Sequence, residues 1–146
     1  MNPLLSETER FLHEQIPLTR AMGVLVEAYD GQHLVLTAPL DANHNHLGTA
    51  FGGSLSALAT LAGYGLLWLE LGNRDAHIVI RRSEFDYRHP VTGILRAVCQ
   101  RPDANEIAVF KARFEQSGKA RIQLHVTVEE DGRVCMAFEG TFVAIR

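Results

Sequence analysis

A chain of 146 residues with 47% apolar composition is sized for one domain, residues 1–146, with a full hydrophobic core. Its formal charge of −3 divides unevenly: residues 1–75 carry three Lys/Arg against eight Asp/Glu, and residues 76–146 carry eleven against nine. Cations interspersed with acids in this way argue against a nucleic-acid partner, which selects a strongly basic face, and leave room only for a local patch facing a smaller anion. Cys99 and Cys135 lie far apart, without the spacing of a metal or redox motif, and no secretory h-region follows Met1. Both cysteines read as buried thiols of a cytoplasmic protein.

In chain order, Ser6-Glu7-Thr8-Glu9 opens a short amphipathic segment, with Ser6 as the expected N-cap and Glu9 completing a capping box. Pro17 limits its length. Val24 to Tyr29 reads as a strand, Asp30-Gly31 as a hairpin turn, and His33 to Ala38 as the returning strand, ended by Pro39. Residues 40–50 form a loop rich in Asn and His. From Leu47 to Leu69 there is no charged residue, and the 21 residues from Phe51 to Leu71 give roughly 30 Å of helix. A helix apolar on every side must be buried. Gly48, Gly52, Gly53, Ser54, Ser56 and Thr60 in its first half, with no Lys or Arg at either flank, argue against a membrane span. Gly72-Asn73 reads as its C-terminal stop.

After this helix the apolar period changes to two. Strands are expected at Ala76 to Tyr87, Gly93 to Gln100, Ile107 to Gln116, Ala120 to Glu129 and Val134 to Ile145, each with one apolar face. Ser117-Gly118-Lys119 and Asp131-Gly132 are the turns of an expected meander of the last three strands. A sheet with one apolar face and one wholly apolar helix bury each other when the sheet curls around the helix, an α+β architecture. One sheet cannot cover the whole helix, so a dimer, or a dimer of dimers, is expected to complete the burial. Gly52, Ser56, Ala59 and Gly63 form a seam of small side chains that suits close helix packing or the dimer contact.

The chain resembles the hotdog-fold acyl-thioester enzymes, and within them the YiiD C-terminal type, a family of putative thioesterases that includes malonyl-acyl-carrier-protein decarboxylases. The resemblance rests on Asn45 followed by Gly48-Thr49-Ala50-Phe51-Gly52-Gly53-Ser54-Leu55, on Ala62-Gly63-Tyr64-Gly65, and on Ser83, Tyr87, Pro90 and Val91. It covers nearly the whole chain, with Tyr64 standing where the family more often has Trp. It implies a hotdog fold with an antiparallel sheet around one long central helix, a homodimer, and an acyl thioester of coenzyme A or of an acyl carrier protein as substrate. No cofactor and no metal are implied.

The chemistry is also arguable from the residues. The first turn of a helix leaves backbone N–H groups without partners and carries partial positive charge, so it can hold a thioester oxygen. Gly52 and Gly53 allow close approach to that backbone, with Thr49 and Ser54 able to bind the ligand or cap spare donors, although the same glycines also suit plain packing. Asn45 can donate to an oxyanion or shape its own loop as an Asx-turn. His46 could move a proton or be a surface residue, and His44 is expected to be exposed. These two histidines lack further ligands for a metal. Phe51, Leu55, Thr60, Tyr64 and Tyr87 are the expected substrate-pocket residues, and Arg81, Arg82 and Arg88, with Lys111, Arg113 and Arg121, a basic surface for a carrier protein or coenzyme A phosphates.

Hotdog thioesterases resemble one another in keeping an Asp or Glu about two turns into the helix, where this chain has Thr60. Without that base hydrolysis is disfavoured, whereas decarboxylation of a malonyl thioester needs only an oxyanion site and a proton. The sequence therefore points first to a malonyl-acyl-carrier-protein or malonyl-coenzyme A decarboxylase giving the acetyl thioester for fatty acid synthesis. An acyl thioesterase is the alternative, and a non-catalytic acyl-thioester binding protein the second.

Overall fold

The computed structural model describes residues 2–72 and 75–146; Asn73, expected to help stop the central helix, lies outside them. Helix α1 (Pro3–Gln15) begins where the Asn2 side chain accepts from the Leu4 N–H at 2.8 Å. Ser6 is therefore inside the helix and not its N-cap, because Asn2-Pro3 supplies the better start: an Asx cap followed by a proline whose missing N–H costs nothing in the first turn. Glu9 is drawn away from any capping box, accepting from the Val26 N–H at 2.8 Å. A short helix α2 (Leu18–Met22) follows Pro17 and closes on Gly23 at φ 72°.

Strands β1 (Leu25–Tyr29) and β2 (His33–Ala38) form the expected hairpin. Its turn is held by the Asp30 carboxylate, which accepts from the Gln32 and His33 N–H groups at 2.8 and 2.6 Å. The central helix α3 (Gly52–Leu71) starts one residue later than expected, with Phe51 as N-cap, and ends on Gly72 at φ 61°. Strands β3 (His77–Tyr87) and β4 (Leu95–Gln100) follow.

The segment expected as a strand at Ile107 to Gln116 is helix α4 (Ala104–Ser117). Asp103 caps it, accepting from the Glu106 N–H at 2.8 Å, and Ile107, Phe110 and Phe114 form its buried stripe. The spacing of those residues fits a helix face, and the cap decides between that and the alternating pattern. The expected three-strand meander is thus a two-strand hairpin, β5 (Lys119–Glu130) and β6 (Arg133–Ile145), around Asp131-Gly132. Gly118 is the C-cap of α4 at φ 75°, and not a hairpin turn.

The strands make one six-stranded sheet in the order β1-β2-β4-β5-β6-β3, antiparallel at every pairing. Helix α3 lies on its inner face and touches every strand from β2 to β6, which is the hotdog arrangement. α3 is long and apolar enough to cross a membrane by length and composition, yet half of its 20 residues are buried in the protein's own core. Leu58, Leu66 and Leu67 are fully buried, each stabilising the fold by about 1.5–3 kcal/mol.

The small-residue seam serves this packing. At Gly63 an added Cβ would lie 2.4 Å from the Phe142 ring, so the lower seam faces the sheet. A second stripe, Gly53, Ser56, Ala57, Thr60 and Tyr64, remains partly exposed along α3 beside β3. β3 is the terminal strand of the sheet, and most of its residues are exposed on both faces.

Candidate functional site

The loop before α3 is pinned from both sides. Asn43 is 2% exposed; its Nδ2 donates to the Met22 and Pro39 carbonyls at 2.8 Å each, and its own carbonyl accepts the Phe51 N–H at 2.7 Å. The Ala50 N–H donates to the Val91 carbonyl at 2.8 Å. Asn43 thereby sets the direction in which the chain enters the helix, a role that nothing in the sequence pattern announces. Between these anchors residues 45–49 make a tight loop that needs Gly48 at φ 79°.

Asn45 organises that loop. Its Oδ1 accepts from the Leu47 and Thr49 N–H groups at 2.9 and 3.2 Å, and its Nδ2 donates to Thr49 Oγ1 at 2.8 Å. The second Nδ2 hydrogen has only a long contact, 3.5 Å to the Ala50 carbonyl, and is the one that a ligand could claim. His46 is exposed, and His44 is exposed with its Nδ1 2.9 Å from the Asn45 carbonyl.

At the helix start the N-cap Phe51 has an extended backbone, φ −66° and ψ 132°, and no side chain caps the first turn. The Ser54 and Leu55 N–H groups donate to the Phe51 carbonyl at 3.0 and 3.1 Å. Among the described residues the N–H groups of Gly52 and Gly53 have no acceptor, and the Ser54 hydroxyl makes no hydrogen bond. The phenol of Tyr87, 52% exposed, donates to the Gly52 carbonyl at 3.3 Å, so the end of β3 stands over the first turn. Phe51, 54% exposed, lays its ring against Gly53, where an added Cβ would sit 2.5 Å from the ring. The result is a pair of free donors at the positive end of a 20-residue helix, rimmed by two aromatic rings.

The structure thus brings together Asn45, Thr49, Phe51, Gly52, Gly53, Ser54 and Tyr87, with His46 on the adjoining loop. Thr60 lies two turns along the helix, its hydroxyl donating to the Ser56 carbonyl at 2.8 Å. Tyr64 is about 18 Å from Gly52 along the axis, in an aromatic groove with Phe11 and Trp68, whose rings stack at 4.8 Å. Burial pushes the Tyr64 phenol above its ordinary pKa, against a lowering hydrogen bond with the Ile80 backbone. The first carboxylate of α3, Glu70, is at the far end of the helix, held by Arg101 and Lys111.

The basic residues separate into groups. Arg81, Arg82, Arg113 and Arg121 line one cleft on the outer face of the sheet. Lys111 instead pairs with Glu70 at 3.1 Å, and Arg88 pairs with Asp86 at 2.7 Å near the opposite end of β3. Arg81 and Arg82 reach the same cleft because Arg81 is the extra residue of a bulge between the Ile80–Phe142 and Arg82–Thr141 pairs; in a regular strand they would point to opposite faces.

A model of the family described as putative thioesterase, YiiD C-terminal, matches residues 5–146. A crystal structure of a protein of unknown function from Chlorobaculum tepidum is 34% identical, covers 97% of this chain and 93% of its own, and superposes with a TM-score of 0.90. One described as a putative thioesterase from Shewanella oneidensis is 30% identical over 100% of both chains, with a TM-score of 0.90. A Pseudomonas aeruginosa protein described as a probable thioesterase, 24% identical over 96% of this chain and 95% of its own, shares the fold with a TM-score of 0.78.

Proposed function

This chain belongs to the YiiD C-terminal family of putative thioesterases, and on that premise we propose that it hydrolyses acyl thioesters at the N-terminus of its central helix. The observation that carries this reading is the unclaimed pair of N–H groups at Gly52 and Gly53, set below Tyr87 and Phe51. The thioester oxygen sits on these donors, where the charge that develops in the tetrahedral intermediate is stabilised without reorganisation of the site. Water adds to the carbonyl carbon, the C–S bond breaks, and the thiolate leaves with a proton. The weakly held second Nδ2 hydrogen of Asn45 and the Ser54 hydroxyl orient the reacting groups, and His46 takes the proton from water.

Hydrolysis replaces malonyl decarboxylation as the first reading, since it is the chemistry named for the family and for the Shewanella relative. Decarboxylation is kept as a second reading because α3 carries no carboxylate before Glu70. There the C–C bond to the malonyl carboxylate breaks, its electron pair forms an enolate held by the same donors, and the carbon takes up a proton.

We place the active form as a homodimer in which two β3 edges pair antiparallel. Eleven residues of terminal strand and the half-exposed stripe of α3 beside it are then covered together. The test follows free thiol and acetyl thioester after incubation with acetyl, longer acyl and malonyl thioesters of coenzyme A and of carrier protein. Thiol release supports hydrolysis. Acetyl thioester accumulating from the malonyl substrate without thiol replaces it with decarboxylation, and binding without either product leaves a non-catalytic binding protein.

A further inference from the structure

The outer face of the sheet carries a feature that the acyl site does not use. Across β3, β6 and β5 the strand register places Val79, Val143 and Arg121 in one row and Arg82, Thr141 and Gln123 in the next. Arg113 of α4 overhangs them, and the bulge adds Arg81. The cleft has a volume of about 700 Å³ and continues into a second of about 590 Å³ through the shared residues Arg81, Arg113 and Arg121.

Two properties distinguish it from an ordinary wet strand face. Among the described residues Arg81, Arg82, Arg113, Lys119 and Arg121 take part in no ion pair; Arg10, Arg20, Arg133 and Arg146 are likewise unpaired but scattered, whereas these five gather on one cleft and its continuation. The nearest carboxylates along the strands, Glu84 and Glu139, come on the following row, and Glu139 is engaged by Gln123 and His125. The floor between the cations is apolar and open to solvent, with Val79 44% and Ile145 37% exposed. Unpaired guanidinium groups are matched in geometry to phosphate oxygens, and their flat faces and the apolar floor suit a planar base.

We propose that this outer-face cleft binds a phosphorylated nucleotide and, resting on the thioesterase reading, takes the 3′-phosphoadenosine diphosphate end of a coenzyme A thioester. A concave cleft with an apolar floor favours a small nucleotide over an acidic protein surface, which would be served by cations alone. The cleft is in the first half of β3, at Val79 to Arg82, and Tyr87 at its end, six residues beyond Arg81 and so about 20 Å away at about 3.3 Å per residue. Antiparallel pairing of two β3 edges sets the start of one strand beside the end of the other. The cleft of one protomer then lies beside the Tyr87 end of its partner's β3 but on the opposite face of the sheet, so the pantetheine arm would pass round that strand end to the acyl site, and the pairing edge leaves the outer face uncovered.

The experiment measures calorimetric binding of adenosine 3′,5′-bisphosphate to the whole protein at low salt, for the wild type, Arg113→Ala, Arg121→Ala and a control, Arg133→Ala, outside the cleft. Binding is expected for the wild type and the control, with at least tenfold weakening in each cleft variant and progressive loss as salt rises. In kinetics the KM for a coenzyme A thioester should rise at least tenfold in the cleft variants, with kcat within twofold and the pantetheine thioester, which lacks the nucleotide, unaffected. Absence of bisphosphate binding overturns the proposal, as does an equal loss on the pantetheine thioester. Arginine-dependent binding of an acidic carrier protein without bisphosphate binding makes the face a protein-docking surface instead. Failure to hydrolyse any thioester sinks the thioesterase reading alone, since the bisphosphate titration decides the cleft by itself. Unchanged thermal melting confirms that the exposed substitutions leave the fold intact.

Discussion

Gly52→Pro deletes one proposed oxyanion donor while leaving the helix in place. Gly52 is the first residue of α3, the position where proline's fixed φ is already helical and its missing N–H breaks no intrahelical bond. The preceding residue must be extended, and Phe51 is, at ψ 132°. A side chain at position 52 would meet the Tyr87 ring at 3.6 Å, an ordinary contact. The folded state is therefore unstrained, and the reduced freedom of the unfolded chain should add about 0.4–1 kcal/mol of stability, a rise in Tm of roughly 1–4 °C for a domain of this size. Loss of one oxyanion donor should lower kcat by about 10²–10³, equivalent to about 2.7–4 kcal/mol. Gly52→Ala keeps the N–H and should stay within about threefold of the wild type. Thiol release from an acyl thioester, measured beside a thermal melt, reads both quantities. Full activity in a proline variant with an unchanged melt would refute the assignment of this N–H to catalysis, and a melt lowered by more than about 5 °C would refute the claim that the helix start is preorganised for proline.

Asn45→Asp retains the acceptors for the Leu47 and Thr49 N–H groups, so the loop should keep its shape, but it sets a negative charge beside the proposed oxyanion. At least tenfold loss of kcat with an unchanged Tm is expected; undiminished kcat would remove Asn45 from the mechanism. Burial alone would raise the Glu70 carboxyl, yet hydrogen bonds and charge from Arg101 and Lys111 outweigh it and hold Glu70 below the usual glutamate range. A depressed folded pKa means stability that is present above the unfolded value near 4.3 and is lost as pH falls through the folded one. Urea titrations from pH 7 to pH 3 should show that loss, and Glu70→Gln, lower by about 1–3 kcal/mol at pH 7, should lack its share; an equal acid dependence in the variant would count against it. Gly63→Ala gains about 1 kcal/mol of helix propensity but drives a Cβ to 2.4 Å from Phe142, which is fully buried between Tyr64 and Phe138. Overpacking there costs about 1–3 kcal/mol, so a net loss is expected in urea unfolding, and a stabilised variant would contradict the packing described.

The central helix was legible because a run without charge from Leu47 to Leu69 has only a buried solution, and the Asp30-Gly31 hairpin because its turn chemistry is local. Helix α4 was misread because Phe110 and Phe114 belong to both candidate patterns: every second residue with Ala108 and Ala112, or one helix face with Ile107. The deciding sign was the Asp103 cap, which competes weakly with a period-two signal unless the start of the element is weighed first. The shared side of Arg81 and Arg82 was not legible at all. It follows from a one-residue slip against β6, and the sequence of β3 alone does not contain the register of its neighbour. Likewise Asn43 reads as one more loop residue until its amide is seen to reach Met22, 21 positions earlier.

The helix starts within this one molecule bear on the site more directly than any motif. α1 and α4 each begin with an Asx side chain accepting from the first turn, at Asn2 and Asp103. α3 is longer than either and more deeply buried, and it begins at a phenylalanine with no side-chain cap. Replacing a good N-cap by an apolar residue costs about 1 kcal/mol, and capping groups are at hand: Asn43, Asn45 and Thr49 all stand within nine residues of Gly52. Their side chains are turned instead onto the Met22 and Pro39 carbonyls and onto one another, and each of those contacts stiffens the approach to the helix without touching its first donors. Local chemistry able to satisfy the Gly52 and Gly53 N–H groups is thus present and directed elsewhere. An opening kept free at the start of the most buried helix, between two half-exposed aromatic rings, is what a site for a transient negative charge requires.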